Sequence, residues 1–542
     1  MLMLQQAWHY ADFWIALAIV GCCFTAAAPR IRVPIVGVQT AVLWVSLLGL
    51  LGGIALTLVR GLPVPYVHDE FAFLLQADTF AHGRLANPSH PHADSLETFH
   101  VLQHPTYAGK YPPAHAIFLA AGQILWHPIV GVWISCSLAF AAICWMLYAW
   151  LPPRWAFAGA ALFALRMLTM FGVHQWCYSY WGGSTSALGG ALVYGAGRRL
   201  LDRIDGKTVA IFCGGLMVLA HSRPLEGLVV SIPIVAVLGW RYLILRQAPM
   251  AALLTRLIGP ALLVLVPGFT AMAYYNFRVT GDPLRHPYRE HVAQKTQVQL
   301  FFWQSMQAPH SYVDSHVARF YHDEAHDWRA MQTWPGWQAT NSFRLRWFSR
   351  WYFGWLLAPV VLLGACCRSR KIPLATIATL LVLGIGLQTC WFQPHYAAPA
   401  APLLALFLGN GLRRMWHLSL FGKEIGKGAV LLIASSYCVL AIACLIPDWR
   451  SPPPTWSEKR EAIIADLHKQ PGKHLVIVHY SPDHNNTEEW VYNAANIDQS
   501  PIVFARSLGD GQDRELISYF GDRHLWTLQA DESSPSLVKL TE

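Results

Sequence analysis

Apolar residues fall in long blocks along this chain, and polar residues collect between them in segments of unequal length. Blocks near the length of a bilayer crossing run roughly over 12 to 28, 33 to 59, 129 to 150, 155 to 172, 184 to 201, 208 to 222, 225 to 245, 256 to 275, 351 to 367, 373 to 391, 396 to 412 and 428 to 446. They predict about twelve transmembrane helices, with a margin of one or two because several are short enough to be tilted, broken or shielded by neighbours. A further apolar stretch, "AHAIFLAAGQILW" at 114 to 126, is too short for a crossing and reads as a helix lying in the outer interface. After Pro447 the pattern changes: "HLVIVHY" and "PIVFAR" alternate as strands, whereas "SEKREAIIADLHK" and "DRELISYF" have helical spacing. The fold class is therefore a polytopic α-helical membrane protein (1–446) with a small C-terminal extracytoplasmic α/β domain (447–542).

Composition agrees. Of 542 residues 54% are hydrophobic and 13% charged, and the mean hydropathy is positive, which excludes an ordinary soluble protein of this size. The formal charge of +9 is a matter of placement, not of nucleic-acid binding. Basic residues fill alternate connectors: Arg30 and Arg32; Arg154; Arg198, Arg199, Arg203 and Lys207; Arg241, Arg246 and Arg256; Arg368, Arg370 and Lys371; Arg413, Arg414, Lys423 and Lys427. Those connectors are read as cytoplasmic. Three long segments, 60–128, 276–350 and 447–542, then share the opposite side, and the N-terminus is outside. The first block lacks a basic leader and precedes another span, so no cleavable signal peptide is expected. Eleven cysteines lie in or beside apolar stretches with no CxxC spacing, as small core residues do.

Candidate chemistry sits on the outer side. "YVHDEFAFL" places Asp69 and Glu70 just beyond an apolar block, where they are either favourable helix-start acids or a partly desolvated general base. In "GKYPPAH", Lys110 is either a snorkelling lysine or a cation for a lipid phosphate, with Tyr111 beside it. "YYNFRVTGDPLRHPYREH" gathers Arg278, Arg285, His286, Arg289 and His291 after a span, against the positive-inside trend. Guanidinium forks suit phosphate. Arg223 and Glu226 in "HSRPLEG" fit an ion pair or a cavity wall, and His395 and Tyr396 in "WFQPHY" fit an interface cap or a ligand contact. Of 24 histidines, 14 lie in the first two outer segments, but none forms a spaced pair backed by carboxylates, so no bound metal is expected.

Taken in order, "HDEF", "KYPP", "SRPLEGL" and "YNFRVTGDPLRHPY" resemble the GT-C superfamily of polyprenyl-phosphate-sugar glycosyltransferases, over roughly residues 33 to 412. The resemblance is strongest to the bacterial branch related to protein O-mannosyltransferases and the lipid A aminoarabinose transferase. It implies an enzyme of the hexosyl- or pentosyltransferase kind in a bacterial inner membrane, with its active site on the extracytoplasmic side. Asp69 would be the base with Glu70 assisting, and Lys110 and Arg223 would be the cations. The donor would be a polyprenyl-phosphate sugar and the acceptor a lipid, glycan or protein hydroxyl. Inversion at the anomeric carbon in one displacement follows, the phosphate being held by Lys110 and the arginines of 278 to 289. No cofactor is required on this reading, a divalent cation being the open alternative. No nucleotide-binding loop is present. The rival readings are a transporter or flippase of a lipid-linked sugar and a lipid-linked glycan ligase or polymerase.

Overall fold

The computed structural model describes residues 33–170, 175–366, 372–419, 425–446 and 454–540. The expected span at 12 to 28, the N-terminal orientation and the basic residues Arg30, Arg32, Arg368, Arg370, Lys371 and Lys423 lie outside the described residues.

Helix α1 (Val38–Arg60) is followed by α2 (His68–Ala81) and by three short strands, β1 (Asn87–Pro88), β2 (Val101–Leu102) and β3 (Thr106–Gly109). Then come α3 (Ala114–Leu125), α4 (Pro128–Trp150), α5 (Pro153–Leu168), α6 (Ser184–Leu200), α7 (Gly206–Ala220), α8 (Pro224–Ile244) and α9 (Met250–Thr280). The second outer segment forms α10 (Pro287–Lys295), α11 (Ser315–Met331) and α12 (Trp334–Tyr352). The chain returns to apolar helices with α13 (Gly354–Ala365), α14 (Ile372–Gly386), α15 (Ala401–Trp416, after a 3-10 turn at Pro394–Ala400) and α16 (Gly426–Ala443). The tail holds α17 (Trp456–His468), β4 (Lys473–His479), β5 (Ile502–Arg506), α18 (Asp510–Tyr519), β6 (Arg523–Gln529) and β7 (Leu537–Lys539).

Every expected span within the described residues is helical, but only α1, α4, α8, α9 and α16 are both long and apolar enough to cross a bilayer. A sixth arises if α12 and α13 are counted as one bent span. The shorter helices α6 and α15 have a physical reason to be short: they are buried along most of their length, so protein and not lipid satisfies their ends. Two glycines set how closely α13 and α15 approach. A Cβ on Gly364 would lie 1.8 Å from the carbonyl oxygen of Phe407, and one on Gly411 would lie 1.9 Å from that of Val360. Helix α9 faces the other way, presenting Leu262, Leu263, Val266 and Phe269 outward, as a lipid-facing helix does.

The block expected to start at 351 begins instead at Gly354, whose φ of 59° turns the chain through 95° between α12 and α13. Arg166 of α5 fills the gap, donating to the carbonyls of Arg350 and Trp351 at 2.7 Å each. Those carbonyls at the end of α12 would otherwise lack partners.

The tail folds as the alternation predicts, with β4 parallel to both β5 and β6 in the order β5-β4-β6-β7 and β7 antiparallel at one edge. Strands β6 and β7 are absent from the sequence reading, because "RHLWTLQ" does not alternate cleanly. The three long polar segments pack on one another. Arg506 of β5 donates its backbone N–H to Ser95 at 2.7 Å and its guanidinium to Asp314 at 2.8 Å, and Ala495 donates to Asp78 at 2.8 Å. The tail thereby roofs the end of the helix bundle where α2 begins.

Candidate active site

Helix α2 is buried on nearly all sides, and its first turn carries both acids. They do different things. Glu70, 2% exposed, reaches back as an N-terminal cap: Oε2 accepts from the backbone N–H of Tyr66 (2.9 Å) and Val67 (3.3 Å), and Oε1 accepts from that of Tyr180 (2.9 Å). Burial, opposed by those hydrogen bonds, pushes its carboxyl up to about 7. Its oxygens are engaged with backbone, as those of a helix-start acid are.

Asp69 is buried but faces side chains. Trp181 donates Nε1–H to Oδ2 at 2.7 Å, and the Nε2 of His100 lies 3.3 Å from Oδ1. Burial first, then the charge of Asp69, pushes the Tyr111 phenol well above its usual range. Tyr111 itself stacks on Phe73 of the same helix.

Two cations act on this carboxylate. Lys110 is buried, its Nζ 2.7 Å from His100 Nδ1 and 5.4 Å from the ring centres of Tyr111 and Tyr288. Burial lowers its ammonium to about 8, against the opposing pull of Asp69 and Glu324. Arg223, the N-cap of α8, lies with its guanidinium 3.8 Å from the ring centre of Tyr396, within electrostatic reach of Asp69. It makes no ion pair with Glu226 within 4.0 Å, although the Glu226 charge acts on it. His395 packs against Trp181, ring centres 4.4 Å apart. The structure thus brings Asp69, Lys110, Tyr111, Arg223, His395 and Tyr396 into one cluster, in which Arg223 and Tyr396 are half-buried and the rest buried.

The arginine-rich segment is less unified. Arg278 is exposed and bonded at 3.1 Å to Tyr274 one turn earlier on α9, so it is not brought to the cluster. His286 caps α10, accepting from the Tyr288 N–H at 3.1 Å, and burial holds its imidazole down at about 4. Arg285 pairs with Glu290 at 2.6 Å. Arg285 and Arg289 line a groove of about 680 Å³ with Tyr288, Leu300, Phe301 and Gln304. Tyr288 both lines this groove and lies beside Lys110. The sequence reading missed His100, Trp181, Tyr288 and Glu324. His100 had a signal, the strand-turn-strand pattern "HVLQHPTYAGK", which sets it opposite Lys110. Among the described residues no group of three or more His, Cys, Asp and Glu is arranged to hold a metal.

A bundle of apolar helices with its polar segments folded together over a buried acidic helix is similar in fold to a membrane protein of known structure. The apo crystal structure of ArnT from Cupriavidus metallidurans superposes with a TM-score of 0.50 at 13% identity, covering 90% of this chain and 92% of that one. Its undecaprenyl phosphate-bound form gives 0.49 at 11% identity over 90% and 93%. The Archaeoglobus fulgidus oligosaccharyltransferase gives 0.44 at 11% identity over 81% of this chain and 62% of that one. Likeness at such identity speaks to the fold alone. No known family profile matches the sequence, and no curated protein matches it.

Proposed function

We propose that this protein is a membrane glycosyltransferase that moves a sugar from a polyprenyl-phosphate donor to an acceptor hydroxyl on the extracytoplasmic side, with inversion. The observation that carries the reading is the buried Asp69 carboxylate, oriented by Trp181 and flanked by Lys110 and Arg223. A carboxylate within hydrogen-bond reach of a bound hydroxyl takes its proton, while the two cations hold the departing phosphate. Arg223 presents its fork from beside the Tyr396 ring, a geometry that suits phosphate oxygens better than a flexible lysine does. Arg285 and Arg289 line the groove with Tyr288 and serve the approach to the site, not the reacting phosphate. The same reading has about twelve crossings, a bacterial inner-membrane location and a division at 446/447, the tail being extracytoplasmic. The fold shared with ArnT is in keeping with this reading.

The test is transfer from a polyprenyl-phosphate sugar in membranes carrying Asp69→Asn protein at matched expression. A loss of about 100-fold or more is expected for removal of a general base. Near-normal turnover removes Asp69 from that role. Movement of lipid-linked sugar without any glycosylated product would favour a flippase.

A further inference from the structure

Strands β2 and β3 form a hairpin in which Val101 pairs with Gly109 and Leu102 with Ala108. The next position outward sets His100 opposite Lys110, and the Lys110 backbone N–H donates to the His100 carbonyl at 3.1 Å. Side chains directly opposite in an antiparallel pair are neighbours, so the hairpin register itself delivers the imidazole to the ammonium. The His100 backbone has a φ of 64°, a left-handed conformation that few non-glycine residues adopt and that clusters at functional sites.

The contacts fix the proton on the ring. An ammonium has donors only, so the His100 Nδ1 at 2.7 Å from Lys110 must offer its lone pair. A neutral ring then carries its hydrogen on Nε2, which faces the acceptor Oδ1 of Asp69 at 3.3 Å. That separation lies just beyond the N–H···O hydrogen-bond range, and catalytic contacts are commonly this loose before substrate binds. The other groups facing the ring are His68 and His291, with ring centres 5.7 Å and 6.0 Å away, and the rings of Tyr111 and Phe320. Burial and the neighbouring Lys110 charge both hold the imidazole neutral.

We propose that His100 is a positioning residue that spaces the Asp69 carboxylate from the Lys110 ammonium and orients both. Without a ring between them, opposite charges this deep would close into a direct ion pair. The carboxylate would become a weaker base and the ammonium would no longer be available to phosphate. The imidazole keeps each group polarised through one of its two nitrogens while leaving Asp69 a free lone pair for the acceptor and Lys110 free N–H groups for the donor. The inference rests on the proposed roles of Asp69 and Lys110.

The experiment uses the full chain in lipid nanodiscs. Histidine-selective ¹⁵N spectra, with the His100 signal assigned by its loss in His100→Gln, report the tautomer without any reaction; a hydrogen on Nε2 is expected. In the transfer assay His100→Ala should lower kcat about 100-fold, a loss of general-base size, with a smaller change in KM. His100→Gln, whose amide can accept from Lys110 and donate to Asp69, should recover most of that loss. A hydrogen on Nδ1, an unchanged kcat in His100→Ala, or a Gln variant no better than Ala overturns the proposal. Loss of transfer in Asp69→Asn but not in His100→Ala overturns this inference alone, whereas normal transfer in Asp69→Asn overturns the functional reading beneath it.

Discussion

Tyr492 lies flat on Phe71, ring centres 3.8 Å apart and planes within 2° of parallel. The first comes from the tail and the second follows the acidic pair at the start of α2. The Tyr492 hydroxyl also meets His68 Nδ1 at 2.6 Å, and Arg460 of α17 donates to the Tyr492 carbonyl at 2.7 Å. The tail is thus built into the environment of Asp69.

Substitution at Tyr492 should separate the two contacts. Tyr492→Phe keeps the stack and loses one buried hydrogen bond, a cost of about 1 kcal/mol. Tyr492→Ala removes the ring and leaves a cavity over Phe71, a cost of about 3 kcal/mol or more. Thermal unfolding in detergent orders the two, and equal losses would show that the stack contributes nothing.

Glu70→Gln should damage the fold and spare the chemistry. The amide has one acceptor oxygen where the carboxylate has two, so its NH2 would face a backbone N–H of Tyr66, Val67 or Tyr180. A buried mismatch of that kind costs about 1 to 3 kcal/mol. Transfer per folded molecule should stay within a few fold of the parent, unlike Asp69→Asn. A selective loss of kcat at unchanged stability would restore Glu70 to the reaction.

Binding of polyprenyl phosphate should weaken as pH rises through about 8, the value to which burial lowers the Lys110 ammonium. Arg223 keeps its charge across that interval, and His100, Asp69 and Glu324 are the other polar groups around Lys110. The sign for stability is opposite. Because the folded value lies below the ordinary lysine value, the buried ammonium is a cost below about 8 that is relieved as pH rises between the two. Lys110→Met should flatten both profiles, and an unaltered pH dependence of binding in that variant would assign the transition elsewhere.

Arg506 is buried with its guanidinium between Asp314 and Glu489, joining the tail to the second outer segment. Arg506→Met leaves two buried carboxylates without their cation and should cost about 3 to 5 kcal/mol. Arg506→Lys, which keeps a cation between the carboxylates, should cost much less, and Asp314 and Glu489 keep their backbone partners in either variant. The comparison is read by unfolding midpoints, and a Lys variant as weak as the Met one would argue against uncompensated charge as the cause.

Helix positions were legible because lipid and protein interior impose the same apolar periodicity, and four of the tail's six elements were legible because α/β alternation is local. Span length was not, since α6 and α15 are short only by virtue of the helices around them. At the site, Asp69, Lys110 and Arg223 stood out as charges beside apolar blocks. Residues that join them did not. Trp181 carries no charge to mark it, and its partnership with Asp69 spans 112 positions of sequence. His100 looked like one more histidine until hairpin register set it opposite Lys110. The Arg278 to Arg289 run misled in part, because its charges divide between a helix face, a groove and a Glu290 pair.

The roof over α2 has a consequence for synthesis. Asp69 is made early, yet its surroundings wait for Tyr492 and Arg506, more than four hundred residues later. A nascent chain inserted helix by helix leaves the start of α2 uncovered until Tyr492 and Arg506 have been made. Synthesis of the tail is thus the step that closes the surroundings of α2.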